Sequence, residues 1–114
     1  MALAKIEIIT SNAKLEKLQH VLEEEGVSGL TVMQVIGCGK QKGSYEYAVE
    51  ENEEFMLLPK QQVNIIVDAD RVDDIVNMVK MELYTGHIGD GKIFVYPCTN
   101  AIRIRTGEEG LEAL

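Results

Sequence analysis

From Leu3 to Ile9 polar and apolar residues alternate, the two-residue period of a strand with one buried face. Ser11 and Asn12 follow, residue types whose side chains cap helix starts, and then Leu15, Leu18, Val21 and Leu22 recur at three- and four-residue spacing. This predicts a helix with one apolar face that stops at Gly26, where a left-handed cap suits glycine. Leu30 to Ile36, rich in Val, Ile, Met and Thr, predicts a second strand. The order then repeats. Gln62 to Val67 predicts a strand, Asp68 or Asp70 can cap a helix, and Val72, Ile75, Val76, Val79 and Leu83 mark its buried face up to Gly86. Lys92 to Tyr96 predicts another strand. Two βαβ units in a small chain point to an α+β, ferredoxin-like βαββαβ sandwich, with two helices on one face of an antiparallel sheet. A doubly wound α/β sheet is the other option, but there are too few βα units for it.

Between the halves lies Gly37 to Lys60, with glycines at one end, five glutamates and no clear period. A connection this long inside a compact domain marks a functional loop.

Length and charge narrow the picture. A chain of 114 residues is expected to be one domain. Its apolar share of 46% and charged share of 26% are those of a soluble globule. No apolar stretch is long enough to span a bilayer, and the start MALAKIEIITS has no signal-peptide layout. The net charge of −8 argues against nucleic-acid or anionic-membrane partners, which require a basic face. Cys38 and Cys98 are solitary and read as reduced thiols of a cytosolic protein. His20 and His87 lack ligand spacing, so a protein-built metal site is not expected.

Candidate chemistry gathers in three glycine- or arginine-bearing stretches. TGHIGDGKIFVY, residues 85–96, fits seven positions of the phosphate-loop pattern from Gly86 to Lys92, but Ile93 stands where a hydroxyl should hold Mg²⁺. The order is also inverted, with helix before and strand after, so the hydrolytic motif fails. What survives is an anion nest: Gly89 and Gly91 allow close backbone approach, and Lys92 adds a charge. Taken alone, GDGK reads first as a glycine-rich turn with an exposed lysine. AIRIRTGE places Arg103 and Arg105 two apart, on one face if the segment is a strand. GCGKQKG adds Lys40 and Lys42, although it is one residue too long for a dinucleotide fingerprint and has no following helix. Five basic residues beside glycines in an acidic chain point to one pocket for a polyphosphate. No nucleophile or base is poised there, so binding without fast chemistry is expected. An ATPase would need a base or metal carboxylate, for which only Asp90 qualifies. RNA binding through GKIFVY is opposed by the charge.

In this order and spacing GKQKG (39–43), LLPK (57–60), TGHIGDGKIFV (85–95) and IRIRTGE (102–108) resemble the PII nitrogen-regulatory signalling family. The resemblance implies a single PII-like domain over 1–114, with a T-loop at about 39–57, a B-loop at about 84–92 and a C-terminal segment at about 102–114. It implies a cytoplasmic homotrimer that is not an enzyme and binds ATP or ADP competitively at clefts between subunits. The implied nucleotide residues are Thr31, Gly39, Lys40, Ile66, Gly89, Asp90, Gly91, Lys92, Arg103 and Arg105, the two arginines coming from the neighbouring subunit. By the same resemblance 2-oxoglutarate binds beside MgATP near Gln41, Lys42, Gly43 and Lys60, with Gln41 a ligand of the Mg²⁺ and Lys60 pairing with the distal carboxylate. The output is a nitrogen-metabolism client, a transporter or an enzyme, met through the T-loop. Membrane association would come only through a transporter client, with no insertion and no nucleic-acid partner.

The chain departs from the family at the loop tip. Glu53 and Glu51 stand where the modified tyrosine and serine of other members stand, and Val49 where a channel-plugging arginine stands. Covalent control by the usual route is not expected, and an acidic tip favours a basic partner surface. The alternative within the family is an adenylate sensor that takes a different small anion and regulates a non-ammonium transporter.

Overall fold

The computed structural model describes residues 2–40 and 55–114, with backbone only at 38–40 and 55–56. Strand β1 (Leu3–Thr10) leads through a short 3₁₀ turn into helix α1 (Leu15–Glu24). Strands β2 (Thr31–Lys40) and β3 (Phe55–Asp68) follow, then helix α2 (Val72–Leu83) and strand β4 (Lys92–Cys98). The sheet has four strands in the order β2-β3-β1-β4, and every neighbouring pair is antiparallel. This is the ferredoxin-like arrangement that the repeated βαβ pattern predicts.

Alternation builds the core. Ala4, Ile6, Ile8 and Thr10 of β1 and Gln61, Val63, Ile65 and Val67 of β3 turn to one face and are buried. Leu18, Val21 and Leu22 of α1 and Ile75, Val79 and Leu83 of α2 close over them. Removing these side chains from water is the main force joining the layers. The opposite sheet face carries Lys5, Glu7 and Ile9 of β1, Gln62, Asn64 and Ile66 of β3, and Phe94 and Tyr96 of β4. No helix of the chain covers it among the described residues.

The helix ends follow local chemistry. Gly26 takes φ +77° after α1, while Gly26 N–H donates to the Glu23 carbonyl and Val27 N–H to that of Leu22. This is the paired C-terminal lock that the stop at Gly26 requires. The Asp68 carboxylate accepts from Asp70 N–H at 2.9 Å and opens the second helical segment. Ser11 differs from expectation: its side chain makes no capping bond, and its carbonyl accepts from Lys14 N–H instead.

The aperiodic reading of Gly37 to Lys60 is corrected at both ends. β2 and β3 stay paired past the sheet body, from Gly37↔Leu58 to Lys40↔Phe55. Backbone pairing continues there although the side-chain pattern has lost its period, because ladder bonds do not depend on which side chains alternate. Gln41, Lys42, Gly43, Val49, Glu51 and Glu53 lie outside the described residues.

Candidate functional site

The glycine loop hangs between the end of α2 and the start of β4. Gly86, Gly89 and Gly91 take φ +82°, +102° and +107°. At Gly91 the requirement is steric as well as conformational, since an added Cβ would lie 2.2 Å from the Ile9 carbonyl oxygen of β1. At Gly89 the space is open apart from the Lys60 amine, 3.9 Å from where a Cβ would stand. The Lys60 stem crosses Gly37 of β2, with its Cγ 3.2 Å from an added Cβ there. Gly37 is therefore the gap through which a β3 lysine reaches the loop. Lys92 follows Gly91 as the first residue of β4 and is exposed.

Asp90 faces into the loop. Its Oδ2 accepts the N–H groups of Thr85 (2.8 Å) and Gly86 (3.0 Å), and its Oδ1 accepts the Thr85 hydroxyl and the Lys14 ammonium, the latter at 2.6 Å. The Lys14 ammonium, with the Thr85 and Gly86 donors, holds the Asp90 carboxyl well below the usual carboxylate range. A carboxylate so occupied shapes the loop and is not free to serve as a base. Among the described residues no three His, Cys, Asp or Glu side chains are grouped to hold a metal.

A second concavity, of about 590 Å³, lies at the other side of the sheet. Its lining includes Thr31 of β2, Asn64 and Ile66 of β3, Arg103 and Leu114. Arg103 donates to Glu108 Oε1 at 2.8 Å and to the Leu114 carbonyl at 2.9 Å.

The strand expected through Arg103 and Arg105 is not formed. Ile102 makes a single bridge with Glu109, and the Gly107 N–H donates to the Arg103 carbonyl at 2.7 Å, turning the chain back. Gly107 takes φ +77° to allow this. Arg103 is half-buried and Arg105 exposed at the turn, so the two do not share a strand face.

Among the described basic residues, Lys92 and Arg103 do not meet within one chain. Lys92 begins edge strand β4, whereas Thr31 begins edge strand β2. Three strand spacings separate these edges, about 14 Å. The structure brings Lys60 to Gly89 of the glycine loop, and it brings Thr31 to Ile66 and Arg103 in a separate concavity. Gly39 and Lys40 sit at the far end of β2, paired with Met56 and Phe55. Sequence reasoning missed Lys14, Thr10 and Asn64. Asn64 had a signal, as the polar neighbour of Ile66 on the same strand face. Lys14 had none, because its partner lies 76 positions away.

A four-stranded antiparallel sheet under two helices, with a glycine-rich loop before β4 and a separate arginine-bearing concavity, defines the class: an α+β protein of ferredoxin-like fold. The family model of nitrogen regulatory protein P-II matches residues 3–108. A nitrogen regulatory PII-like protein of Bacillus subtilis (strain 168) is 44% identical over 110 residues, covering 96% of this chain and 95% of the relative. The solved B. subtilis GlnK–ATP complex superposes with a TM-score of 0.83 at 42% identity, covering 99% of this chain and 98% of that one. Arabidopsis thaliana PII bound to citrate gives a TM-score of 0.79 at 33% identity, covering 99% and 92%. The chain belongs to the nitrogen regulatory protein P-II family, whose members are signal-transduction regulators rather than enzymes.

Proposed function

We propose that this regulator senses the adenylate state, binding ATP or ADP in clefts between the subunits of a homotrimer. The observation that supports the reading is that Lys92 and the glycine loop adjoin the β4 edge of the sheet, whereas the Arg103 concavity adjoins Thr31 at the β2 edge. A glycine nest with Lys92 and Lys60 suits phosphates. A concavity with Thr31, Asn64 and Ile66 suits a base and ribose, and Arg103 supplies a fork for phosphate. Packing one copy's β2 edge beside another's glycine loop joins the halves, so ligand binding and subunit contact become one event. The relative crystallised with ATP supports nucleotide as the ligand.

Gly89, Gly91 and Lys92 would meet the phosphates, Asp90 would hold the loop's shape, and Arg103 and Arg105 would close from the neighbouring copy. Gly39 and Lys40 would border the nucleotide from the end of β2. 2-Oxoglutarate is the proposed effector, with Mg²⁺ brought by ATP. Gln41 would ligate that cation, Lys42 and Gly43 would line the effector's path, and the Lys60 amine beside Gly89 would take its distal carboxylate. ADP lacks the γ-phosphate that seats this assembly, so carbon and energy status are read together as a linkage. The segment of about 39–57 would carry the readout to a client in nitrogen metabolism, with an acidic tip suited to a basic partner surface. Cytoplasmic placement goes with this role.

Calorimetric titration with ATP in Mg²⁺, with and without saturating 2-oxoglutarate, tests the reading. Effector binding that requires MgATP supports it. Nucleotide binding without any 2-oxoglutarate response favours the adenylate sensor with another small anion in the Lys60 position, for which the relative bound to citrate is the motivating observation.

A further inference from the structure

Lys14 sits in the turn between β1 and α1, remote in sequence from every glycine-rich stretch, yet its ammonium ends at the base of the glycine loop. It donates to Asp90 Oδ1 at 2.6 Å and to the Leu83 carbonyl, the last of α2, at 2.7 Å. Thr10, fully buried at the end of β1, adds a third tie by donating its hydroxyl to the Asp90 carbonyl at 2.9 Å. With the Thr85 and Gly86 donors, Asp90 is the hub on which α1, α2, β1 and the loop converge. The Lys14 and Asp90 side chains are 17% and 25% exposed, so the pair is partly buried and less screened than a fully exposed surface pair.

We infer that Lys14 is a positioning residue for the glycine loop: acting through Asp90, it fixes the backbone form in which Gly89, Gly91 and Lys92 face an anionic ligand. The inference rests on the reading of that loop as a phosphate cradle and deepens it. Three donors must be held in one geometry for a nest to bind, and a glycine-rich loop pays a large entropic cost to adopt it. An ion pair with a helix-end carbonyl as its second acceptor removes most of that freedom before the ligand arrives. Lys14 has a further effect, neutralising a carboxylate that would otherwise lie beneath an anion.

Geometry and simple charge make opposite predictions for Asp90→Asn. If only the local field matters, deleting a negative charge beside the cradle tightens anion binding. If the latch matters, the same change loosens the loop and weakens binding. The experiment is titration of wild type, Lys14→Met, Lys14→Arg and Asp90→Asn with MgATP and with ADP, alongside amide hydrogen exchange of residues 84–92 in the ligand-free proteins.

The expected result is that Lys14→Met and Asp90→Asn each weaken both nucleotides by roughly tenfold, the scale of one charge-assisted hydrogen bond. Exchange of 84–92 accelerates in both, and Lys14→Arg, which keeps donors for Asp90 and Leu83, recovers most of the loss. Unchanged or tighter binding by a folded Asp90→Asn variant overturns the inference, as does unaltered exchange in Lys14→Met. Should Lys14→Met fail to fold, Thr85→Val removes a single hydroxyl from the same hub and is expected to act in the same direction. If wild type binds neither nucleotide, the phosphate reading of the loop falls, and the exchange measurement still decides whether Lys14 orders it.

Discussion

At the residue scale, Asp90 shows how a motif residue can serve its loop. Its pKa is depressed from an ordinary 3.8, so its stabilising effect is complete above that value. The effect is lost as pH falls from there toward the lower folded value. The stability difference between wild type and Asp90→Asn should therefore be constant through neutral pH and shrink only in acid, as thermal unfolding at stepped pH would measure. Gly91 makes a steric prediction. Gly91→Ala must move the Ile9 carbonyl and hold a left-handed φ, costing on the order of 3 kcal/mol. Gly89→Ala meets only the tip of Lys60 and should cost about 1 kcal/mol in fold stability. Denaturant midpoints of the two variants would separate them. GDGK was legible as a positive-φ loop because glycine spacing is a backbone property. The need for Gly91 to clear β1 was not legible, because it depends on Ile9, near the other end of the chain.

At the element scale, the turn after β4 is the informative case. The RIR spacing reads as strand, but Gly107 and Thr106 favour a reversal, and the Arg103–Glu108 pair closes it. Local turn chemistry won because the segment has one bridging partner instead of a ladder. In the proposed site a ligand would share the Arg103 guanidinium with Glu108, which holds one of its donors. Arg103→Ala should weaken ATP and ADP alike by roughly 1.5–3 kcal/mol. Glu108→Ala should leave nucleotide affinity equal or tighter, and change stability by less than about 1 kcal/mol because the pair is partly exposed. Parallel titrations and melts check both. The β2–β3 ladder teaches the converse: apolar periodicity ended near Ile36, yet backbone pairing ran on to Lys40.

At the scale of the whole molecule, one sheet face is covered by α1 and α2 and the other carries a polar network edged by apolar side chains. Lys5 pairs with Glu7 at 3.5 Å and lies 5.3 Å from the Tyr96 ring centre, while Gln62 donates to Glu7 at 3.2 Å. Phe94, opposite Glu7 in the ladder, is 39% exposed. Such a face suits association with further copies. Phe94→Glu sets a second carboxylate beside Glu7 and is expected to yield monomers that also lose nucleotide binding. Sedimentation and titration of the same sample would show whether the two losses travel together. A folded monomer that still binds ATP with wild-type affinity would contradict a ligand site shared between subunits.

The order of the main strands and helices and the positive-φ glycine positions were legible in the sequence alone, since periods and glycine spacing are set by neighbouring residues. The family was legible too, through motifs whose order and spacing span nearly the whole chain. Tertiary structure decided which residues meet. It sent Lys60 over Gly37 to Gly89, turned Asp90 inward onto Lys14, and set Lys92 and Arg103 at opposite sides of the sheet. These are contacts between segments far apart in the chain, fixed by strand order and by the volume each side chain must clear, and no local pattern encodes them.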